Sequence, residues 1–436
     1  MAFLLDSHNV LPYLSQLELW PSGQPLAALE PKSGKNFNLR VKGETQDLLI
    51  KQEPHGLEDF PLGELRREYR FYQLLEHFPE LETVRSQTTL PLHFDADHGI
   101  LVFPYLPNVA DLSTFYRHCT TPDGANDANL DNADVTDFSV LVQPLPTQIA
   151  SAIGQIFAHL HGNTFQQSAH RSFWLETCQE DEDPDQDETE RLSEDIVPDF
   201  LVGLRRLTPE SYCVLPTDAL KFFRFYQHYP ELGEAIDQLN QSFDPCCIVH
   251  DDPRFANFLI HLTDTPLDRQ IPASIQLIDW EKWKWGDPAY DLGQLLANYL
   301  RLWLESLPVS AHMPMAEALN RATVPLAAVQ PSAAALVTAY LFHFPQLLNH
   351  QPDFLVRLTQ FTGLGLIRQV QLYIAHKSPI GNVEMAMAQV GKSLLCQPAA
   401  SLSTVFGQTQ ETLANGVNIS GQPVHSSLAE VSQTVC

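Results

Sequence analysis

Two short apolar runs, each ending in acidic or amide side chains, constrain this chain more than anything else in it. Ile248-Val249 leads into His250-Asp251-Asp252-Pro253-Arg254-Phe255-Ala256-Asn257, after which Phe258-Leu259-Ile260 resumes the apolar pattern. Further on, Ile275-Gln276-Leu277-Ile278 ends in Asp279-Trp280-Glu281. Runs of this length bounded by Asp, Asn and Pro read as strands with turns between them. Isolated Asp and Asn residues need no more than turn or cap duty to account for them. Two strands that both end in oxygen-bearing side chains also suit a hard divalent cation. Mg2+ takes oxygen ligands, keeps part of its water shell and completes it with substrate phosphates. Asn257 and Asp279 offer such oxygens. Asp252, across the loop from Asn257, is left to accept a proton.

At 436 residues the chain exceeds an average domain, so two lobes or domains are expected. It carries 53 Asp+Glu against 26 Lys+Arg, a formal charge of -27. A field of that sign repels nucleic acid and anionic membranes, so neither is expected as a partner. It admits a cationic small molecule, although acidic surfaces commonly serve solubility alone. Seven cysteines, among them the adjacent Cys246 and Cys247, show no metal-ligand spacing. With no secretory signal at the N-terminus, they suggest reduced thiols in the cytoplasm. The most apolar later stretch, Ala333 to Leu348, contains His343 and Pro345 and is read as too short to span a membrane.

Leu39-Arg40-Val41 and Leu48-Leu49-Ile50-Lys51 read as strands about a Lys42-Gly43-Glu44 turn. Glu64 to His77 has helical spacing through Leu65, Tyr69, Tyr72 and Leu75. Ile100 to Phe103 is a buried strand ending at Pro104. Ile149, Ile153, Ile156, Phe157 and Leu160 mark a helix from Pro146 to about Gly162. Leu292, Leu295, Leu296, Tyr299, Leu300 and Trp303 form the stripe of another. Polar insertions are expected near 118–146 and 178–195, the second strongly acidic. A Ser/Gln/Thr/Gly-rich tail over 397–436 is expected to be disordered.

His250-x-Asp252-x-Arg254-x-x-Asn257 resembles the catalytic loop of protein kinases. It is closer to the His-Gly-Asp-x-His/Arg-x-x-Asn loop of the aminoglycoside phosphotransferase and choline kinase family. Ile278-Asp279-Trp280-Glu281 and Gly286-Asp287-Pro288-Ala289-Tyr290-Asp291-Leu292 are similar to that family's two following motifs. Asp251 departs from the pattern, standing where the family carries glycine.

The resemblance implies an α+β, bilobal, protein-kinase-like fold. A small antiparallel-sheet N-lobe (1–103) would bind nucleotide and a linker (104–108) would join it to a larger, mainly helical C-lobe (109–396). The implied activity is transfer of the γ-phosphate of ATP, with Mg2+, to a hydroxyl of an aminoglycoside, choline-like compound, sugar or amino alcohol. Asp252 would be the base, Arg254 would contact the γ-phosphate, and Asn257 and Asp279 would hold the metal. Lys51 would hold the α- and β-phosphates and Glu68 would orient it, with Glu64 as the competing helix acid. Ser33 and Gly34 would lie in a phosphate-covering hairpin. Since Pro104 has no N–H, Tyr105 or Leu106 would donate to adenine. His250 and Asp291 would brace the loop. The oligomeric state is not implied.

Three other readings compete. In the first, the chain is a non-catalytic, nucleotide-binding, kinase-like regulator or scaffold, against which stands the presence of Lys51, Glu68, Asp252, Asn257 and Asp279 together. In the second it is a protein kinase, but no Asp-Phe-Gly occurs, and Gly286-Asp287-Pro288 follows Asp279 too closely for a peptide-docking activation segment. An α+β hydrolase would need a Gly-x-Ser-x-Gly elbow or a metal-binding His pair, and neither is present.

Overall fold

The computed structural model describes residues 3–21, 24–32, 34–55, 62–120, 144–181, 217, 219–261, 274–308, 313, 315–375, 379–408 and 413. Its N-terminal part is a five-stranded antiparallel sheet in the order β1-β2-β3-β5-β4. The strands are β1 (Leu26–Lys32), β2 (Phe37–Gly43), β3 (Asp47–Gln52), β4 (His93–Asp95) and β5 (Ile100–Pro104). Period-two alternation puts Leu48 and Ile50 of β3 on one face, with Leu39, Val41, Ile100 and Val102. Helix α1 (Val10–Gln16) covers that face through Val10 and Leu14. Helix α2 (Glu64–His77) begins after Gly63, whose φ of 88° is open to glycine and few other residues. Its Phe71, Tyr72, Leu74 and Leu75 join the large core. Helix α3 (Glu82–Ser86) follows.

The chain then enters a mainly helical lobe. Strand β6 (Val109–Asp111) pairs with β8 (Phe258–His261), which pairs with β9 (Ile275–Leu277). Strand β7 (Cys247–Val249) pairs with β10 (Lys284–Gly286). Among the described residues, the helices before β7 are α4 (Leu112–Thr120), α5 (Thr147–Thr164), α6 (Ser168–Asp181), α7 (Ala219–His228) and α8 (Pro230–Gln241). Those after β10 are α9 (Pro288–Glu305), α10 (Met315–Asn320), α11 (Leu326–His343), α12 (Leu347–His350), α13 (Phe354–Ala375), α14 (Asn382–Cys396) and α15 (Pro398–Phe406). The whole is α+β, an antiparallel-sheet N-terminal part followed by a mainly helical part.

Asp287 caps α9, its carboxylate accepting the Ala289 N–H at 2.9 Å, with Pro288 at the first helical position. The same carboxylate is fully buried and ion-paired to Arg357 of α13. That pair fixes where the helix starts, and hence where Asp291, one turn on, stands. Helices α5 and α11 pack so closely that a Cβ on Gly154 would collide with the Leu336 carbonyl oxygen.

Three sequence expectations need correction. The tail is not disordered from 397: α15 buries Leu402, Val405 and Phe406, whose three- and four-residue spacing is hidden by the polar composition around them. The acidic insertion does not begin at 178, because α6 continues to Asp181, and insertion residues 118–120 end α4. The remainder of both insertions, 121–143 and 182–195, lies outside the described residues, as does the tail from 414. Finally, α11 starts earlier than the apolar stretch read from sequence, passes through Pro331 and is long and apolar enough to cross a membrane by composition. Half of it is buried, chiefly against α5.

Candidate active site

The alternation that buries Leu48 and Ile50 turns Lys51 to the other face of the sheet, over α2. There Lys51 Nζ lies 3.2 Å from Glu68 Oε2 and 2.8 Å from Asp279 Oδ1. Glu68 is 1% exposed, and its Oε1 accepts the Tyr72 hydroxyl at 2.7 Å. Glu64, one turn earlier, pairs instead with Lys35 of the β1–β2 turn. Burial alone would depress the Lys51 ammonium, but Glu68 and Asp279 outweigh it and raise its pKa above the ordinary value. Asp279 is likewise buried, which favours its neutral form, yet Lys51 holds its pKa below the ordinary value.

The loop after β7 is fastened from below by Asp291. This fully buried carboxylate accepts the His250 N–H at 2.7 Å and the Asp251 N–H at 2.9 Å, and His161 Nε2 lies 3.3 Å from it. His250 Nδ1 accepts the Asp252 N–H at 3.2 Å, so Nε2 carries the hydrogen that bonds the Ile278 carbonyl at 3.1 Å. One imidazole thus ties the loop to the residue before Asp279. Asn257 donates through Nδ2 to the Asp252 carbonyl at 2.9 Å, leaving its amide oxygen for another partner.

Asp252 Oδ2 lies 2.9 Å from Arg254 and 3.1 Å from Lys282. Lys282 escaped the sequence reading; its signal was the alternation of Glu281-Lys282-Trp283-Lys284 directly after Asp279. Asp251 adopts φ 67°, the left-handed region in which glycine is at ease and aspartate is tolerated. Its carboxylate lies 3.0 Å from Lys284 Nζ. Burial pushes the Asp251 pKa up to about 6, with Asp291 adding to the rise and Lys284 and Arg368 opposing it.

Gly34 sits in the β1–β2 turn, where an added Cβ would collide with the Asn38 side chain. Ser33 lies outside the described residues. In the linker, the Tyr105 N–H bonds the Asp47 carbonyl at 2.9 Å, because β3–β5 pairing extends one residue past Pro104. Its amide is therefore taken, and Leu106 is the remaining candidate donor to adenine.

The donor set beneath Lys51 suits a divalent cation. Asn257, Asp279 and Glu281 are all oxygen donors. Glu281 is pushed up to about 7 by burial and then by Asp279, Glu64 and Glu68. Such a surplus of carboxylate is what Mg2+ neutralises. On the far side of Asp252 a second cleft opens, walled by Gln294, Asn298 and Arg301 of α9 and by Arg368 and Gln369 of α13. None of these five was singled out from sequence, since the apolar stripe of α9 drew the eye to its opposite face.

A model of the phosphotransferase enzyme family matches residues 140–322, which include the 250–257 loop and Asp279. The resemblance seen in the motifs therefore extends over the central part of the chain. No curated protein sequence matches it. Among solved structures, it is similar to a choline/ethanolamine kinase family protein from Mesorhizobium loti, with 17% identity, 92% of this chain and 99% of that one covered, and a TM-score of 0.42. It is similar also to a putative aminoglycoside phosphotransferase from Ralstonia eutropha JMP134, with 13% identity, 93% and 99% covered, and a TM-score of 0.46. A glucosamine kinase in complex with glucosamine, ADP and inorganic phosphate shares 12% identity over 89% of this chain and 82% of that one, with a TM-score of 0.43.

Proposed function

We propose that this chain is a small-molecule kinase that moves the γ-phosphoryl group of ATP to a hydroxyl, with Mg2+. The observation that carries the reading is the meeting of Lys51 with both Glu68 and Asp279 beside the loop bearing Asp252. A lysine poised between a helix acid and a metal-binding aspartate is the arrangement that phosphoryl transfer needs for holding phosphates.

In this reading Lys51, oriented by Glu68, binds the α- and β-phosphates, and Leu106 donates its N–H to adenine. Gly34 and its turn cover the phosphates with backbone N–H groups. Asn257 and Asp279 would hold Mg2+, which would supply positive charge to the transferring phosphates. Asp252 accepts the proton of the attacking hydroxyl. Arg254 and Lys282, both against Asp252, orient its carboxylate, and Arg254 turns to the γ-phosphoryl group as it transfers. The transition state is loose, so positioning and charge neutralisation supply most of the acceleration. His250 and Asp291 position the loop and touch no substrate.

The test is ADP release with MgATP across amine, sugar, sugar-acid and amino-alcohol acceptors, with Asp252→Asn and EDTA as controls. Turnover with one acceptor, lost about 10²–10⁴-fold in the variant at unchanged ATP affinity, is expected. Mg2+-dependent ATP binding without turnover on any acceptor would favour a nucleotide-binding scaffold instead.

A further inference from the structure

We propose that the acceptor is an anion, a small polyhydroxylated carboxylate or phosphate, held between α9 and α13 beside Asp252. The proposal rests on the phosphotransferase reading for its chemistry but on the cleft itself for the charge. In a chain with a formal charge of -27, this cleft gathers Arg301 and Arg368, beside the Arg254 that pairs with Asp252. The only acidic residues lining it among the described residues, Asp251 and Asp252, are already matched, the first by Lys284 at 3.0 Å and the second by Lys282 at 3.1 Å and Arg254 at 2.9 Å. Neither offers an uncompensated carboxylate to an ammonium group. Arg301 is paired with Glu305 at the rim, and Arg368 bonds the Tyr290 hydroxyl, so both guanidiniums are held in place along the wall.

The helix register agrees. Gln294, Asn298 and Arg301 stand at i, i+4 and i+7 on α9, and Arg368 and Gln369 stand three and four residues past Gly365 on α13, so each helix turns a polar stripe to the same space. At Gly365 a Cβ would lie 2.7 Å from Ala297 Cβ and 3.2 Å from both amide atoms of Gln294. The bare backbone there makes room for the Gln294 amide. Gln294 Nε2 is buried and meets no hydrogen-bond acceptor among the described residues. A donor left in this condition is costly unless a ligand oxygen completes it. Guanidiniums recognise carboxylate and phosphate through paired N–H groups, and amides recognise hydroxyls, so the lining describes a sugar acid or sugar phosphate.

The experiment uses the full chain, titrated calorimetrically with D-gluconate, D-glucose 6-phosphate, glucosamine and choline, and followed for ADP release with MgATP. One or both anions are expected to bind and to stimulate ADP release, the two arms telling carboxylate from phosphate. Arg301→Gln and Arg368→Gln should each weaken the anion about tenfold, in Kd and in KM, with the KM for ATP unchanged and the fold retained by circular dichroism. The proposal is overturned if neither anion binds, if glucosamine or choline is phosphorylated while both anions are inert, or if the double variant binds the anion as tightly as the native chain. Anion binding that depends on these arginines, with no transfer from ATP to any acceptor, would sink the kinase reading and leave the anion site standing.

Discussion

Lys51 and Asp279 are separated by 228 positions and meet at 2.8 Å, joining a strand of the small sheet to the loop of the helical lobe. Each holds the other charged in a buried setting, and Glu68 shares the lysine. Removing Lys51 thus does two things at once. It takes away the phosphate contact, and it leaves two carboxylates without their cation.

Lys51→Met is therefore expected to lower kcat/KM for ATP by about a hundredfold or more, since charge placed at the phosphates is the main catalytic resource of this chemistry. Steady-state kinetics at varied MgATP, alongside circular dichroism to show retained fold, would check it. Near-native activity in the variant would remove Lys51 from the site.

Asp251 links stability to pH. Its pKa in the fold, about 6, lies above the ordinary 3.8, so between those values the folded state holds a proton that the unfolded chain has released. This group's contribution is present at low pH and is lost as pH rises through about 4 to 6, a change on the order of 3 kcal/mol. Asp251→Asn keeps a side chain tolerated at φ 67° and removes the titration. The melting-temperature difference, native minus variant, should shift in favour of the native chain as pH falls from 7 to 4.5. A difference independent of pH would contradict the assignment.

Arg357 and Asp287 form an ion pair with both side chains buried. Arg357→Met strands a buried carboxylate that also caps α9, and should cost about 3–5 kcal/mol. Adding Asp287→Asn, which keeps a capping oxygen, should recover part of the loss. Urea unfolding of the two variants would show it; equal destabilisation in both would mean that the charge is not the cause.

Gly154→Ala places a methyl group against the Leu336 carbonyl oxygen, where α5 and α11 meet. Forced separation of two packed helices should cost about 1–3 kcal/mol, with active-site kinetics little changed. Thermal melts compared with an exposed Ser→Ala control would detect it.

Much of this architecture could be read from local pattern. Local pattern in Leu48 to Lys51 and three/four spacing in Glu64 to His77 predict a strand and a helix; the pairing of Lys51 with Glu68 is what the family resemblance implies, and the structure brings the two to 3.2 Å. What escaped depends on neighbours distant in sequence. That the Tyr105 amide is spent on Asp47 follows from how far β3–β5 pairing runs, which no run of apolar residues reveals. Lys282 and Lys284 gain meaning only once β10 returns beside β7 and brings them to Asp252 and Asp251. The polar stripe of α9 was overlooked because the opposite, apolar face explains the helix by itself. Leu402, Val405 and Phe406 were lost among Ser, Thr and Gln, since composition averages away a one-sided helix.

The twin grip of Asp291 on the His250 and Asp251 amides bears on motion as well as on geometry. Both N–H groups are tied to a carboxylate that water does not reach, so their hydrogens exchange with solvent only when α9 itself gives way. A segment that bears the proposed chemistry thus has the exchange behaviour of the protein's interior, and deuterium would enter it last.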